Sequence, residues 1–465
     1  MTGLLEVTSP YDGAVVGEVP LAGPRVLEAA IAAAAAAAEE QRRLPAHART
    51  AALARAADAI ERDVDALAAT ITAEQGKTRV EARAEAGRIP GIVRLCAEEA
   101  SRLGGEVLPM DAAPVGVGRL GYTRREPAGV VAAITPFNYP AILVAHKIGP
   151  ALAAGNAVVL KPALATPLTA TFLYERIAAA GLPDGTLQLV AGPGGEIGPP
   201  LVADARVRAV TFTGSHAVGQ AIARAAGAKR LACELGSNAA FVVLDDADLE
   251  RSAAAIAFSG YTNAGQNCVS TQRVIAHRSV RDALIERVLA KVDELRTGDP
   301  DDPETTLAPL IDEREGERVV RWLCEARDAG ADLVRGGARN GAIVAPAIVV
   351  EPPQGARVWR EELFGPAIAV RGVGSDDEAL ALANDTRFGL AASVMTRSVD
   401  RALRFAHGLR AGMVGVNPPR GATWRADFMP WGGVGDSGFG REGVRFAARE
   451  LSHERLVVVH PEGAE

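Results

Sequence analysis

Three polar side chains that lie far apart in the chain have the types required for thiol-dependent acyl chemistry. Cys268 lies in a small, polar segment that contains Gly265, and Glu234 and Asn138 lie well upstream of it. A thiolate adds to carbonyl carbons, a carboxylate activates water as a general base, and an amide N–H stabilises an oxyanion. These groups are needed to form and then hydrolyse a thioester. The sequence therefore predicts an enzyme that oxidises an aldehyde to an acid.

The bulk composition excludes several other classes of protein. The chain has 465 residues, of which 48% are hydrophobic and 23% charged, and its net charge is −7 without long blocks of one sign. This length predicts two or three domains, and this charge predicts neither nucleic acid nor an anionic membrane as a partner. The N-terminus lacks the pattern of a signal peptide, and the apolar run 29–38 is too short to span a bilayer.

The cysteines and histidines predict no disulfide framework and no metal site. Four cysteines show no paired spacing, and the seven histidines are scattered. So few cysteines in a large chain are typical of a reducing compartment, so we expect a cytoplasmic protein. Buried, inert thiols are expected for the cysteines other than Cys268, namely Cys96, Cys233 and Cys324.

The pattern of apolar residues predicts an α/β protein. Helices rich in Ala, Leu, Arg and Glu are predicted over 25–104, and strands over 117–134. From 140 to 236, and again from 240 to about 434, predicted strands and helices alternate. Alternation in units of this length predicts a parallel, doubly wound sheet. The last predicted strand, 455–460, is isolated and strongly apolar, so we expect it to pair with another subunit or with the strands at 117–134.

Short motifs are distributed through nearly the whole chain, and in their order they resemble those of the aldehyde dehydrogenase superfamily. Each motif alone is weak evidence, but the full set in order leaves little room for coincidence. The motifs are Ile134-Thr-Pro-Phe-Asn-Tyr-Pro140, Gly155-Asn-Ala-Val-Val-Leu-Lys-Pro162, Phe212-Thr-Gly-Ser215, Glu234-Leu-Gly236, Gly265-Gln-Asn-Cys268, Glu361-Glu-Leu-Phe-Gly-Pro366, and Pro430-Trp-Gly-Gly-Val434 continued by Ser437-Gly-Phe-Gly-Arg-Glu-Gly443.

The resemblance implies a division into three parts. The expected Rossmann-like dinucleotide-binding domain, with its doubly wound parallel sheet, comprises 1–108 and 128–236. A second α/β domain over 237–434 would be catalytic. A small β oligomerisation arm would comprise 109–127 and 452–465, and a homodimer or homotetramer is expected.

The resemblance also implies roles for the first three residues. Cys268 would be the nucleophile and Glu234 the base that activates water, while Asn138 and the backbone N–H of Cys268 would stabilise the oxyanion. Relatives that transfer the acyl group to coenzyme A typically lack this glutamate, so a free acid product is expected. The family more often has glycine where Ser237 stands. Outside these motifs, a buried cysteine, a surface glutamate and a turn asparagine would be the ordinary interpretations.

Cofactor contacts follow from the same resemblance, and either NAD or NADP is expected. Lys161 would meet the adenine-side ribose, and Glu362 the nicotinamide ribose. The family often has glutamate where this chain has Leu164, which cannot repel a 2′-phosphate, so NADP is not excluded. The other predicted cofactor residues are Gly214, Ser215 and Gly219 at the pyrophosphate, Phe364 beside the nicotinamide ring, and Thr135, Pro136 and Leu235.

The predicted substrate is a short aldehyde with a distal carboxylate or phosphonate. Arg425 stands where relatives that act on neutral aldehydes often carry an aromatic residue. Arg88, His146 and Asn267 are expected to face the same cavity, and guanidinium groups suit such anions. The pattern resembles lactaldehyde, succinate-semialdehyde and phosphonoaldehyde dehydrogenases. In so arginine-rich a chain, surface arginines are the alternative interpretation.

Two other functional classes stay open at this point. One is a thiol hydrolase or esterase that uses Cys268 without redox chemistry. The other is a non-catalytic protein on the same fold. The cofactor-type residues Lys161, Ser215 and Glu362 argue against the hydrolase, and the complete set of Cys268, Glu234 and Asn138 argues against the non-catalytic protein.

Overall fold

The N-terminal part of the chain is a helical layer preceded by a hairpin. The computed structural model describes residues 3–423 and 425–461, so 462–465 of the predicted arm, residues 1–2 and Trp424 lie outside the described part. Small buried residues such as Ala52 and Ala56 let the second helix pack closely on the fifth. The elements are β1 (Leu4–Thr8), β2 (Val15–Pro20), α1 (Pro24–Arg43), α2 (Ala46–Arg62), α3 (Val64–Gln75), α4 (Arg79–Ala86), α5 (Ile89–Arg102), β3 (Val107–Leu108) and β4 (Leu120–Pro127).

Strands and helices then alternate, which confirms the pattern predicted for 140–236. The sheet order is β9-β8-β5-β6-β7, and all of these strands run parallel. One strand, β9, was not predicted, because its sequence of arginine, leucine, alanine, cysteine and glutamate has no clear period. The elements are β5 (Val130–Ile134), α6 (Ile142–Ala153), β6 (Ala157–Lys161), α7 (Pro167–Ala178), β7 (Leu187–Leu189), α8 (Gly194–Ala203), β8 (Val207–Thr213), α9 (His216–Ala226) and β9 (Arg230–Glu234).

A second sheet forms the core of the next part of the chain. Its strand order is β12-β15-β16-β11-β10-β17-β18, parallel except for β12. Its elements are β10 (Ala240–Val243), α10 (Leu249–Tyr261), β11 (Arg273–His277), α11 (Arg278–Asp293), α12 (Glu313–Asp328), β12 (Asp332–Arg335), β13 (Arg339–Asn340), β14 (Ile343–Val344), β15 (Ala347–Val350), α13 (Arg357–Arg360), β16 (Ala367–Val373), α14 (Asp376–Asn384), β17 (Ala391–Met395), α15 (Val399–Gly408), β18 (Met413–Val416) and β19 (Pro419–Ala422).

The C-terminal segment returns to the first part of the chain. Its elements are β20 (Gly438–Phe439), α16 (Val444–Glu450) and β21 (Ser452–Val459). The strand β20 lies antiparallel to β9, with Gly438 opposite Glu234. The strand β21 pairs antiparallel with β4, from Ser452↔Pro127 to Val459↔Leu120. Of the two predicted pairings of the tail, the structure therefore shows the one within the chain.

The carboxyl ends of the first sheet position several predicted site residues. Thr135 follows β5, Lys161 ends β6, Gly214 follows β8 and Glu234 ends β9. In doubly wound sheets, ligands bind outside this end of the strands. Within 3–423 and 425–461, no helix is both long and apolar enough to cross a membrane.

Candidate active site

The loop that carries Cys268 begins with a left-handed turn. After α10, Asn263 and Ala264 have φ angles of 53° and 54°, and Gly265 has 71°. Such angles have a high conformational free energy for alanine and a lower one for asparagine, so tertiary contacts must stabilise the turn. Asn263 supplies them, because its backbone N–H donates to Glu81 Oε1 at 2.7 Å and its side chain accepts from Gln75 Nε2 at 3.1 Å. The turn thereby directs Cys268 toward a cavity.

The Cys268 thiol lies in largely apolar surroundings beside one cation. It packs against a cluster of buried apolar residues that includes Leu143 and Trp431. Burial raises the pKa of the thiol to about 12, while the positive charge of Arg425 acts in the opposite direction. The free enzyme therefore holds Cys268 mainly as the thiol at neutral pH, and Arg425 is the side chain that most favours its thiolate.

This environment predicts how the reactivity of the thiol depends on pH. We expect alkylation of Cys268 by iodoacetamide to accelerate about tenfold per pH unit between pH 7 and 10, because only the thiolate reacts and its pKa lies above that range. The peptide mass of the alkylated product measures the rate. A Cys324→Ser background removes the other partly exposed cysteine, since Cys96 and Cys233 are buried. A plateau below pH 8 in the protein without cofactor would contradict this assignment.

Asn138 lies beside the nucleophile loop. Its side-chain Nδ2 donates to the carbonyl of Gln266 at 3.0 Å, and the amide carries a second hydrogen. The backbone N–H of Cys268 donates to no residue within the described ranges. A carbonyl oxygen bound between these two groups would therefore find two donors.

Glu234 is buried next to a second carboxylate and an ammonium group. Its Oε1 lies so close to Gly432 that a Cβ there would approach to 2.7 Å, and its Oε2 has no hydrogen-bond partner in the described part of the chain. Lys147 forms a buried salt bridge with Glu442 and donates to Thr211 Oγ1 at 3.3 Å. Burial and the neighbouring Glu442 raise the pKa of Glu234 well above its ordinary value, and Lys147 opposes them. This carboxyl group therefore accepts a proton more readily than an ordinary glutamate, as a general base must.

Asn138 and Cys268 line the same cavity. Glu234 does not line it, but it lies against Gly432, which directly follows the wall residue Trp431. Its charge is also near enough to raise the pKa of the thiol. The carboxylate therefore stands just behind the wall that faces the sulfur.

Lys147 and Glu442 were not predicted as site residues. Glu442 lies in one of the motifs named above, but a charged residue in a motif does not reveal its partner. The available signal was Lys147 itself, the charged centre of a helix, α6, that is otherwise apolar apart from His146. Buried charges require a partner, so Lys147 should have prompted a search for a carboxylate.

The cavity at Cys268 has a volume of about 560 Å³ and is lined by the cation Arg425. The Arg425 guanidinium stacks over the Trp431 indole at 3.5 Å from the ring centre. Among the described residues it forms no salt bridge, and burial lowers its pKa. The residues of the wall include Lys77, Glu81, Arg88, Asn138, Tyr139, Phe258, Asn267, Cys268, Arg420, Thr423, Arg425 and Trp431.

Two of the residues predicted to bind substrate have another partner. Arg88 lines the cavity, but its guanidinium forms a two-point salt bridge with Asp427. His146 is fully buried behind that carboxylate, with Nε2 at 3.1 Å from Asp427 Oδ1, and it does not line the cavity. Burial acts against ionisation of Asp427, but hydrogen bonds from His146 and Arg88 hold its pKa well below the ordinary value. The prediction that His146 faces the cavity is therefore corrected, because it supports Asp427 instead.

The predicted contacts on the adenine side of the cofactor are a lysine, Lys161, and the N-terminus of α9. Burial lowers the pKa of Lys161 to about 8, and its Nζ donates only to the carbonyl of Pro162, at 3.1 Å, among the residues described. Ser215 caps α9 by accepting from the backbone N–H of Val218 at 3.4 Å. A Cβ at Gly219 would strike Leu235, so glycine is needed for the close packing of α9. The N–H groups at the start of α9 can face a pyrophosphate.

The residues predicted to contact the nicotinamide line a narrow cleft on the other flank of the nucleophile loop. Glu362, Phe364, Ser237 and Asn267 are among its lining residues. Glu362 accepts from the backbone N–H of Ser237 at 2.8 Å, and burial raises its pKa to about 7. Phe364 meets Phe137 edge to face, with ring centres 6.0 Å apart. Asn267 borders both this cleft and the cavity at Cys268, so the nucleophile loop separates the two spaces. A carboxylate and an aromatic ring, Glu362 and Phe364, are the side-chain types predicted to contact a nicotinamide ribose and ring.

Comparison with known proteins decides the family. The family model described as the aldehyde dehydrogenase family matches residues 2–457. The chain belongs to the aldehyde dehydrogenase family. A 3-sulfolactaldehyde dehydrogenase from Priestia aryabhattai is 39% identical over 98% of this chain and 95% of that protein.

Solved aldehyde dehydrogenases share the whole fold. Aldehyde dehydrogenase 21 from Physcomitrella patens, solved with its reaction product succinate, matches 99% of this chain and 96% of its own, with a TM-score of 0.96 and 33% identity. A glyceraldehyde-3-phosphate dehydrogenase from Methanocaldococcus jannaschii, solved with NADP, matches 98% of each chain, with a TM-score of 0.94 and 34% identity.

These matches confirm several predictions made from the sequence. This aldehyde dehydrogenase has the predicted α/β fold with Rossmann-like and catalytic parts, and it is an NAD(P)-dependent enzyme. The thiol hydrolase and the non-catalytic protein are thereby set aside. The domain limits and the roles of individual residues stay predictions.

Proposed function

We propose that this aldehyde dehydrogenase oxidises a short aldehyde with a distal anionic group, a carboxylate, phosphonate or sulfonate, to the free acid. The observation that carries the proposal is Arg425, a half-buried guanidinium in the cavity of Cys268 that has no carboxylate partner among the described residues. Its desolvation is unfavourable without a partner, so an anionic ligand would relieve it. The relative named for 3-sulfolactaldehyde and the structure that holds succinate support the same class of substrate.

The proposed first half-reaction takes place at Cys268. Its thiolate attacks the aldehyde carbon, and the developing oxyanion accepts hydrogen bonds from the Asn138 side chain and the Cys268 backbone. Losing one such donor costs about 3 kcal/mol of barrier. An oxidised NAD(P), held by Lys161, the start of α9 and Glu362, would supply the hydride acceptor for the carbon that the sulfur holds. The remaining product on the protein is a thioester of Cys268.

The proposed second half-reaction uses Glu234 as the base. Its carboxylate takes a proton from water, which attacks the thioester and releases the acid and the Cys268 thiolate. The ammonium group of Lys147 lies beside it and stabilises its ionised form against the effects of burial and Glu442. A base in this position favours water over coenzyme A as the acyl acceptor.

The proposed cofactor contacts keep both nicotinamide dinucleotides open. Lys161 would bind the adenine-side ribose, the start of α9 the pyrophosphate, and Glu362 the nicotinamide ribose. Leu164 is partly exposed near Lys161 and carries no charge to repel a 2′-phosphate. We also propose that the enzyme is a cytoplasmic homodimer or homotetramer assembled through the arm, since β21 is an edge strand with exposed Leu456 and Val459.

Substitution of Arg425 tests the proposed substrate class. We expect Arg425→Leu to lower the ratio of kcat/KM for an anionic aldehyde to that for its neutral isostere by about 100-fold. The ratio is the informative quantity, because loss of the cation also makes the Cys268 thiolate less stable for every substrate. Arg420→Leu is the matched control, since Arg420 lines the same cavity but is exposed, and its effect should stay below about fivefold. An unchanged ratio in Arg425→Leu would remove the claim of an anionic substrate.

A further inference from the structure

The turn between α3 and α4 reaches into the active site with several polar side chains. Gly76 ends α3 with a φ of 75°, and a Cβ there would lie 2.6 Å from Pro10 and 2.9 Å from Pro309. Only glycine fits this conformation and this packing, and the turn directs the next residue, Lys77, inward. Lys77 is 1% exposed, although its side chain borders the cavity of Cys268.

Lys77 contacts the loop that carries Asn138 in two ways. Its Nζ donates to the backbone carbonyl of Asn138 at 3.0 Å, and it lies 3.8 Å from the ring centre of Tyr139. Its third partner is Glu85, with which it forms a buried salt bridge. A buried ammonium with these partners fixes the peptide that follows Asn138 on one side.

Glu85 holds the same loop at its other end. Its Oε1 accepts the backbone N–H of Ala141 at 2.9 Å and that of Ile142 at 3.1 Å, where α6 begins. Glu85 is itself 2% exposed. The salt bridge between Lys77 and Glu85 therefore clamps the segment 138–142 from both ends.

The nucleophile loop is tied to the same place. Asn263 Nδ2 donates to the Asn138 carbonyl at 2.9 Å, so this one oxygen accepts from both Lys77 and the turn before Cys268. Gln75, two residues before Lys77, donates to Asn263 Oδ1 at 3.1 Å. The oxyanion donor and the nucleophile lie on different elements, and this network sets the distance between them.

We propose that Lys77 and Glu85 are positioning residues that fix the distance between the Asn138 amide and the Cys268 thiol. The inference rests on the proposed function, because the distance between these two groups affects catalysis only if Asn138 stabilises an oxyanion. Neither residue need touch the substrate to exert this effect. A displacement of about 1 Å at a reacting group lowers rates by about 100-fold.

The test separates oxyanion stabilisation from the reactivity of the thiol. We expect Lys77→Met to lower kcat by about 30- to 100-fold, with KM changed by less than about threefold. Alkylation of Cys268 by iodoacetamide forms no oxyanion, so its rate should stay within about twofold of the native rate. Glu85→Gln keeps an oxygen that can accept from the two N–H groups. It should therefore lose less kcat than Lys77→Met, and the alkylation rate of Cys268 should again be unchanged.

The matched control is Glu74→Gln. Glu74 is equally buried and accepts two backbone N–H groups, from Leu168 at 2.7 Å and Thr169 at 2.8 Å, but it caps α7 and not the Asn138 loop. Its kcat should remain within about twofold of the native value, as for a capping contact remote from the reacting atoms. If Lys77→Met does not fold, Gln75→Leu takes its place, since it weakens the same network without breaking a salt bridge.

Two outcomes would overturn the inference. One is a native kcat in Lys77→Met, or in Gln75→Leu where that variant replaces it. The other is a parallel fall of kcat and alkylation rate, which would indicate a general structural role. Failure of the proposed function itself looks different, because the native enzyme would then not reduce NAD(P) when an aldehyde is added.

Discussion

Replacement of Glu234 by glutamine is expected to give an enzyme that reduces NAD(P) once per active site and then nearly stops. The thiol, the oxyanion donors and the cofactor site remain, so the thioester should form at close to the native rate. Its hydrolysis loses the base, which should slow steady turnover by about 10³-fold. Rapid mixing with aldehyde, followed at 340 nm, measures both the burst and the steady rate.

The control for this prediction is again a buried carboxylate outside the site. Glu74→Gln should keep full steady turnover and show no change in the ratio of burst to steady rate. A Glu234→Gln enzyme with native turnover would show that another group activates water. A Glu234→Gln enzyme that shows no burst would indicate that Glu234 acts before the thioester forms.

The raised pKa of Glu234 adds a pH dependence to the same step. Burial and Glu442 raise this pKa well above 4.5, so the carboxyl group is protonated, and inactive as a base, at pH values where an ordinary glutamate is ionised. Thioester hydrolysis should therefore rise with pH through the raised pKa. This dependence should disappear in Glu234→Gln, whose residual hydrolysis lacks the titrating group.

Replacement of Cys268 by alanine is expected to have the largest effect, a loss of aldehyde oxidation by at least about 10⁴-fold. No other buried thiol can take its place, since Cys96 and Cys233 do not line the cavity of Cys268. The measurement is aldehyde-dependent reduction of NAD(P), together with cofactor binding followed by quenching of tryptophan fluorescence. Binding should persist because the predicted cofactor residues lie on other elements.

The remaining partly exposed cysteine provides the comparison. Cys324 lies on α12, away from the cavity lined by Cys268, so Cys324→Ala should keep native activity. Aldehyde oxidation by Cys268→Ala at a tenth of the native rate or faster would contradict the thioester route.

The sequence predicted the alternating core more completely than the strands whose formation depends on distant partners. The segment from α6 to α9 has clear apolar strands, such as β6, between helices, so the period of apolar residues and the length of each run were sufficient to predict its elements. The strand β9 ends in Glu234 and lacks such a period, and its strand geometry depends on pairing with β8 and β20. Pairing between distant strands leaves little trace in a single sequence.

The contacts of charged residues were the least predictable part of the site. Arg88 and Arg425 have the same side chain in the same cavity, yet one is bound to Asp427 and the other has no carboxylate partner among the described residues. The difference depends on Asp427 and His146, which come from other elements. Lys77 likewise could not be distinguished from a surface lysine, because burial of a charge depends on its partners in the folded chain.

The most direct test of the account is the mass of the Cys268 peptide in the Glu234→Gln enzyme, quenched in acid after mixing with NAD(P) and an anionic aldehyde. We expect the peptide to gain the mass of the acyl group in nearly stoichiometric amount, and only when the cofactor is present. An unmodified Cys268 peptide, or an acyl group on another residue, would contradict the claim that this thiol carries the substrate between oxidation and hydrolysis.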